Sequence, residues 1–208
     1  MADQDYTQVG RKGLLDTLLE QDSTLEASAL SQILAWARSS HIDHRAPDEY
    51  VPDRDNPYML RWFAQRKFRL LDAFCEPWLK RLWQSQDCAL ENAYVHRFLR
   101  SDDDRALHDH PWSWVTVLLD GSYWEHVPAD LDYPAGPTVR RRRTAGDIVV
   151  RREAAYPHRV ELDEGRPVTT LFLTAEKSRE WGFWCERGWR HWRVFTDADA
   201  DGLARGCE

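Results

Sequence analysis

The chain has 208 residues, with 35 acidic against 28 basic side chains and a formal net charge of −7. That length holds one domain with a real core, or one barrel and a small extension. The acidic balance gives no general attraction to nucleic acid or anionic membranes, and no run approaches the roughly 18 apolar residues of a spanning helix. The first residues, Met1-Ala2-Asp3-Gln4-Asp5, are acidic with no apolar stretch behind them, which reads as a cytoplasmic chain. Cys75, Cys88, Cys185 and Cys207 are widely spaced without a C-x-x-C pair, so reduced thiols are expected.

Residues 11–40 carry helical spacing, first through Leu14, Leu15, Leu18 and Leu19. Ser23 followed by Glu26 predicts a capping box that opens a second helix, whose apolar stripe is Leu30, Ile33, Leu34 and Ala37. Residues 41–57, rich in Pro and Asp, read as loop. Helical spacing returns over 66–83 through Leu71, Phe74, Trp78 and Leu82, with Pro77 expected to kink it. From residue 93 short runs of Val, Thr, Tyr, Phe and Trp alternate with Gly, Pro and Asp. Strands are expected at 93–100, 106–119, 122–127, 138–144, 147–152, 157–162, 168–174 and, in pieces, 180–195. The resulting layout is a helical N-terminal extension over 1–90, a β-barrel over 91–196 and a disordered acidic tail over 197–208.

The stretch that carries chemistry is Leu107-His108-Asp109-His110-Pro111-Trp112-Ser113-Trp114. Two histidines two apart on a strand point to one face, so their imidazoles can converge on one cation. His158, at the start of a later strand, supplies a third ligand. By the same parity Asp109 points away from the metal, whereas Trp112, Trp114 and Thr116 share the ligand face.

This pattern resembles the two motifs of the cupin family. In the first, His108, His110 and Gly121 fit, but Trp114 stands at the glutamate position and Asp102 at the leading glycine. In the second, Gly146 and His158 fit, while Glu153 and Ala155 replace the proline and glycine, with one extra residue in the spacing. The longer string, with HRFLRSDDDRALHDHPW and WGFWCERGWRHW, is similar to a group of small bacterial and phage cupins that has no settled function. The resemblance implies a mainly β fold, a double-stranded β-helix or jelly-roll barrel with the α-helical segment attached. It also implies a metal held by His108, His110 and His158. Without the glutamate the set is three neutral imidazoles, similar to the iron site of cysteine dioxygenase. Fe(II) is the first expectation, with Zn, Mn or Ni as alternatives.

Around that set, His96, Tyr123 and Glu125 are candidate catalytic groups: His96 as acid or base, Tyr123 as a donor to an oxygen intermediate, Glu125 as base or fourth ligand. Which face of the Tyr123–His126 strand points inward is open. Arg61 and Arg97, with Arg100 and Arg105 as further choices, are candidates to clamp a substrate carboxylate, and Trp112 and Trp114 to line the floor. Arg140 to Arg143, with Arg151 and Arg152, read as a solvated hairpin with one arginine turned inward, not as a nucleic-acid patch. His41-Ile42-Asp43-His44 lies in the expected loop and is set aside, and His191 is read as structural.

The function expected is an enzyme: a mononuclear non-haem iron oxygenase taking a small molecule, carboxylate-bearing by the arginine argument, together with O2. The rivals are a non-redox isomerase, epimerase or lyase and a small-ligand-binding module. A homodimer would cover the open barrel edge.

Overall fold

A computed structural model of the chain describes residues 23–51, 54–64, 90–102, 106–196 and 206–207. The elements are β1 (Ser23–Thr24), α1 (Ala27–Ala37), β2 (Glu49–Val51), β3 (Met59–Phe63), β4 (Leu90–Phe98), β5 (Leu107–His108), β6 (Trp114–Asp120), β7 (Ser122–Pro128), β8 (Thr138–Thr144), β9 (Asp147–Arg151), β10 (Arg159–Leu162), β11 (Val168–Ala175), β12 (Gly182–Cys185), β13 (Gly188–His191) and α2 (Trp192–Thr196).

A seven-stranded sheet runs in the order β1-β9-β6-β11-β4-β3-β2, and its pairings are antiparallel. Two three-stranded sheets, β10-β7-β8 and β13-β12-β5, complete the β structure among the described residues. They are joined where His108 on β5 pairs with His158, the residue before β10. The N–H of each donates to the other's carbonyl at 2.9 Å. The second layer therefore reads β8-β7-β10-β5-β12-β13, with two of the three histidines at its seam. This is a jelly roll, and it is mainly β as the sequence implies.

Strand parity sorts the side chains of the large sheet. Trp62, Val95, Val117, Ile148 and Leu171 turn outward into a buried cluster that the Ile33–Ala37 end of α1 covers, with Leu30 and Leu34 packed against it. The predicted stripe of α1 is thus the helix-to-sheet contact, and each fully buried Leu or Ile contributes about 1.5–3 kcal/mol. Arg61, His96, Thr116, Thr170 and Phe172 turn inward, toward the second layer.

Several expectations are corrected. The capping box does not form: α1 starts at Ala27, its N-cap Glu26 makes no side-chain cap bond, and Ser23 and Thr24 pair with Ile148 and Asp147 of β9 instead. Strand pairing satisfies their backbone groups and lets Leu25 enter the core. The expected loop over 41–57 begins inside a π-helical turn, Arg38–Ile42, and contains β2. β2 and β3 both join the seven-stranded sheet, which therefore starts well before residue 91. The single strand expected over 106–119 is two, broken at Pro111, whose ring has no N–H to give a ladder. The last expected strand pieces end in α2. Cys185 and Cys207 are not free thiols; they form a disulfide. Gly121, the β6–β7 turn, has φ +87, and a Cβ there would meet the Pro167 carbonyl oxygen at 2.9 Å, so glycine is required. The expected helices around Leu14–Leu19 and over 66–83, together with Cys75, Cys88, Arg105 and most of the acidic tail, lie outside the described residues. Among the described residues no helix is long and apolar enough to cross a membrane.

Candidate metal centre

His108, His110 and His158 each offer one ring nitrogen to a common point, all within 4.8 Å of one another. The backbone places them. The β5 pairing sets the His108 and His158 rings 4.9 Å apart, centre to centre. The His110 N–H donates to the Ala154 carbonyl at 3.0 Å, which returns its ring to the same side after the bend. His110 Nε2 lies 2.9 Å from His158 Nε2. Nitrogens about 2.0–2.1 Å from one ion and at right angles to each other lie about 2.9 Å apart, so this pair already has the spacing of adjacent ligands. Burial, with the neighbouring His158 ring second, pushes His108 and His110 well below the ordinary imidazole range, so both are neutral as ligands must be. The donor set fits a divalent ion of the imidazole-binding kind.

No family model and no curated protein matches the chain. Solved structures do. A prolyl-4-hydroxylase from Pseudomonas putida is 16% identical, with 80% of this chain and 98% of that one aligned and a TM-score of 0.50. AviO1 from Streptomyces viridochromogenes is 17% identical over 76% of this chain and 90% of that one, TM-score 0.49. Vicilin from Corylus avellana (hazelnut) is 13% identical over 64% of this chain, TM-score 0.39, and the chain spans 32% of the vicilin's length. The chain has the cupin fold. Within that fold the three histidines stand close enough together to share a metal ion.

The cupin glutamate position holds Trp114, which is 1% exposed and packs on the rings of His158 and His110 at 4.9 and 5.3 Å between centroids. It buttresses the ligand rings from behind and does not line the cavity. The open question about the Tyr123–His126 strand is resolved: Tyr123 and Glu125 face inward, while Trp124 and His126 face out, where His126 meets Glu161 at 2.6 Å.

Glu125 is fully buried, and its carboxylate accepts from Arg143 Nε and Nη2 at 2.9 and 2.6 Å and from Arg151 Nη2 at 2.8 and 3.0 Å. Its Oε1 stands 3.4 Å from His158 Nδ1, the ring nitrogen remote from the cluster. Burial alone would push this carboxyl up; Arg151, His158 and Arg143 more than offset it and hold it well below the usual carboxylate range. Glu125 is thus an anion behind His158 and is not one of the converging groups. The two buried arginines explain the basic hairpin: Arg143 and Arg151 turn inward, while Arg140 and Arg142 lie outside against Glu161 and Asp163.

A cavity of about 90 Å³ opens beside the cluster, between the two layers. Arg61, His96, Trp112 and Tyr123 line it with the three ligands; Arg97, Trp114 and Glu125 do not. Arg97 follows His96 on β4 and so lies on the opposite face. Burial, then Glu125, pushes the Tyr123 hydroxyl far above its ordinary value, so it stays a proton donor. Arg100 donates to the Asn56 carbonyl at 3.2 Å. His41 is buried against Trp36 at 4.7 Å, and His191 meets Glu180 at 3.3 Å; neither lines the cavity.

Two carboxylates hold the ligand loop, and only Asp109 has the orientation that strand parity predicts for it. Asp102, noted only as a departure from the motif, accepts the Val160 N–H at 2.7 Å and lies 3.8 Å from His108 Nδ1. Asp109, between the ligands, is fully buried and faces away from them. It accepts from the Gly182 N–H at 2.8 Å and Trp189 Nε1 at 2.9 Å, and pairs with Arg179 at 2.8 Å. It thereby ties the His-Asp-His turn to β12.

Proposed function

We propose that this cupin is a mononuclear metalloenzyme, a non-haem Fe(II) oxygenase of the dioxygenase type acting on a small molecule together with O2. The observation that carries the reading is the donor set: three imidazoles with an indole where a carboxylate would stand, and the nearest buried carboxylate taken by two arginines. His108, His110 and His158 would hold the ion, and a set of three protein ligands would leave part of its coordination shell open to a small molecule. The ion when bound would supply Lewis acidity and electron exchange with O2. Zn, Mn and Ni suit the same imidazoles and are the alternatives.

The chain's own residues do the rest. Phe98, Val160 and Phe172 form the apolar wall that keeps water from the reacting groups. Tyr123 holds a proton that burial prevents it from losing, and so can donate a hydrogen bond to negative charge that develops on a molecule in the cavity. Trp112 bounds the floor.

The test is oxygen uptake. Protein purified anaerobically and loaded with Fe(II) should consume O2 with at least one member of a panel of small organic acids, and His110→Ala should not. Turnover under argon with Zn or Mn would instead identify a non-redox isomerase or lyase. A substrate bound and released unaltered would identify a binding module.

A further inference from the structure

Four polar side chains stand in one row across four neighbouring strands. Glu49 on β2 pairs in register with Arg61 on β3, Arg61 with His96 on β4, and His96 with Thr170 on β11. Paired residues project on the same side of a sheet, at about 4.5–5.5 Å between Cβ atoms. Arg61, His96 and Thr170 all reach the cavity.

The hydrogen bonds fix who donates. Arg61 Nε donates to His96 Nε2 at 2.9 Å, and Arg61 Nη1 donates to Glu49 Oε2 at 2.8 Å. A guanidinium has only donors, so His96 Nε2 must accept and the imidazole proton sits on Nδ1. His96 is therefore held as a neutral donor, which replaces the acid/base role that its position in the sequence invites. The contacts to His96 and Glu49 use two of the five guanidinium N–H groups. Thr170 is 1% exposed, and its hydroxyl has no partner among the described residues. The Trp112 indole N–H, on the same cavity, is likewise buried without one. Buried donors without acceptors are costly, so a wall that gathers them suits a ligand rich in acceptors. The row borders the metal cluster: Phe172, two residues along β11 from Thr170, packs on His96 at 5.2 Å and on His110 at 5.7 Å between centroids.

We propose that Arg61, His96 and Thr170, with the Trp112 indole, form a carboxylate subsite, and that the substrate is a small monocarboxylate whose other end lies at the three-histidine cluster. The subsite stands on its own geometry; the placing of the other end rests on the reading of the cluster as the reactive centre. A planar carboxylate accepts from two directions at once and fits a guanidinium edge beside a hydroxyl. The cavity of about 90 Å³ limits the rest of the molecule to a short chain or a single ring.

Calorimetric titration of the full chain with a series of carboxylates from acetate to benzoate, each beside its neutral amide, tests this. At least one carboxylate should saturate a single site while its amide binds at least tenfold more weakly. Thr170→Val, nearly isosteric, should weaken that carboxylate about tenfold with an unchanged melting curve, and Arg61→Gln should abolish the preference over the amide. The wild type stripped of metal should keep the carboxylate preference. Equal affinity for amide and acid, no binding by any member of the series, or an unaffected Thr170→Val would overturn the subsite. A preference seen only with metal bound would overturn it too, because the carboxylate would then be ligating the ion. A protein that holds metal and turns over but shows no carboxylate preference sinks this inference and leaves the oxygenase reading intact. A carboxylate preference without metal does the reverse.

Discussion

Glu125→Gln is the most telling single substitution, because it keeps volume and removes one charge from a fully buried site. The carboxylate lies between Arg143, 1% exposed in its side chain, and Arg151, 7% exposed. A carboxamide can accept from one guanidinium but must turn its own donors toward the other. Breaking a buried ion pair from one side costs about 3–5 kcal/mol, a large share of the about 5–15 kcal/mol that holds a domain together. At about 2–4 °C per kcal/mol for a chain of this size, the melting temperature should fall by roughly 10 °C. Urea denaturation at neutral pH, with thermal melting beside it, reads the loss directly. The pH dependence has a definite sign. The Glu125 carboxyl lies below its ordinary value of 4.5 in the folded protein, so its contribution is complete above that value and is lost as pH falls below it. Wild type and Glu125→Gln should therefore differ by a constant amount above about pH 5.5 and converge progressively below 4.5. Metal affinity should fall as well, by about tenfold or more, because the anion behind His158 makes that imidazole a better ligand. A loss under about 1 kcal/mol, or a gap that does not narrow in acid, would refute the description of Glu125 as a charge buried between two arginines.

Two further substitutions probe the supports of the ligand loop. Asp109→Asn leaves one acceptor oxygen for three donors and should cost about 2–3 kcal/mol in urea denaturation while lowering metal occupancy, since the turn between His108 and His110 loses its tie to β12. Cys185→Ser opens a disulfide spanning 22 residues and should cost about 3 kcal/mol, matched by reductant on the wild type and not increased by reductant on the variant.

The three-histidine cluster was the most legible feature. His108 and His110 are two apart before a strand, His158 opens another, and parity brings their rings together. The strands from 107 onward could also be read, because their alternation is regular and glycines such as Gly121 and Gly146 mark the turns. β2 and β3 could not. Glu49–Val51 is too short to show a period, and Met59–Phe63 mixes a buried Met59 with an inward Arg61 whose partner lies on another strand. The inner arginines were hidden for a similar reason. A run of four arginines shows which residues alternate but not that Arg143 will meet a carboxylate 18 residues earlier. Thr170 looked like any strand threonine until its register with His96 and Arg61 was known. Pairing across strands, more than anything local, decides those roles.

The central claim is that His108, His110 and His158 together hold one metal ion. Elemental analysis by mass spectrometry of the full chain, purified without a histidine tag, tests it most directly. The wild type should carry close to one transition-metal ion per chain, with His108→Ala and His158→Ala folded and depleted of it. A wild type that retains no metal after incubation with Fe(II), Zn, Mn or Ni, or variants that keep the wild-type stoichiometry, would contradict it.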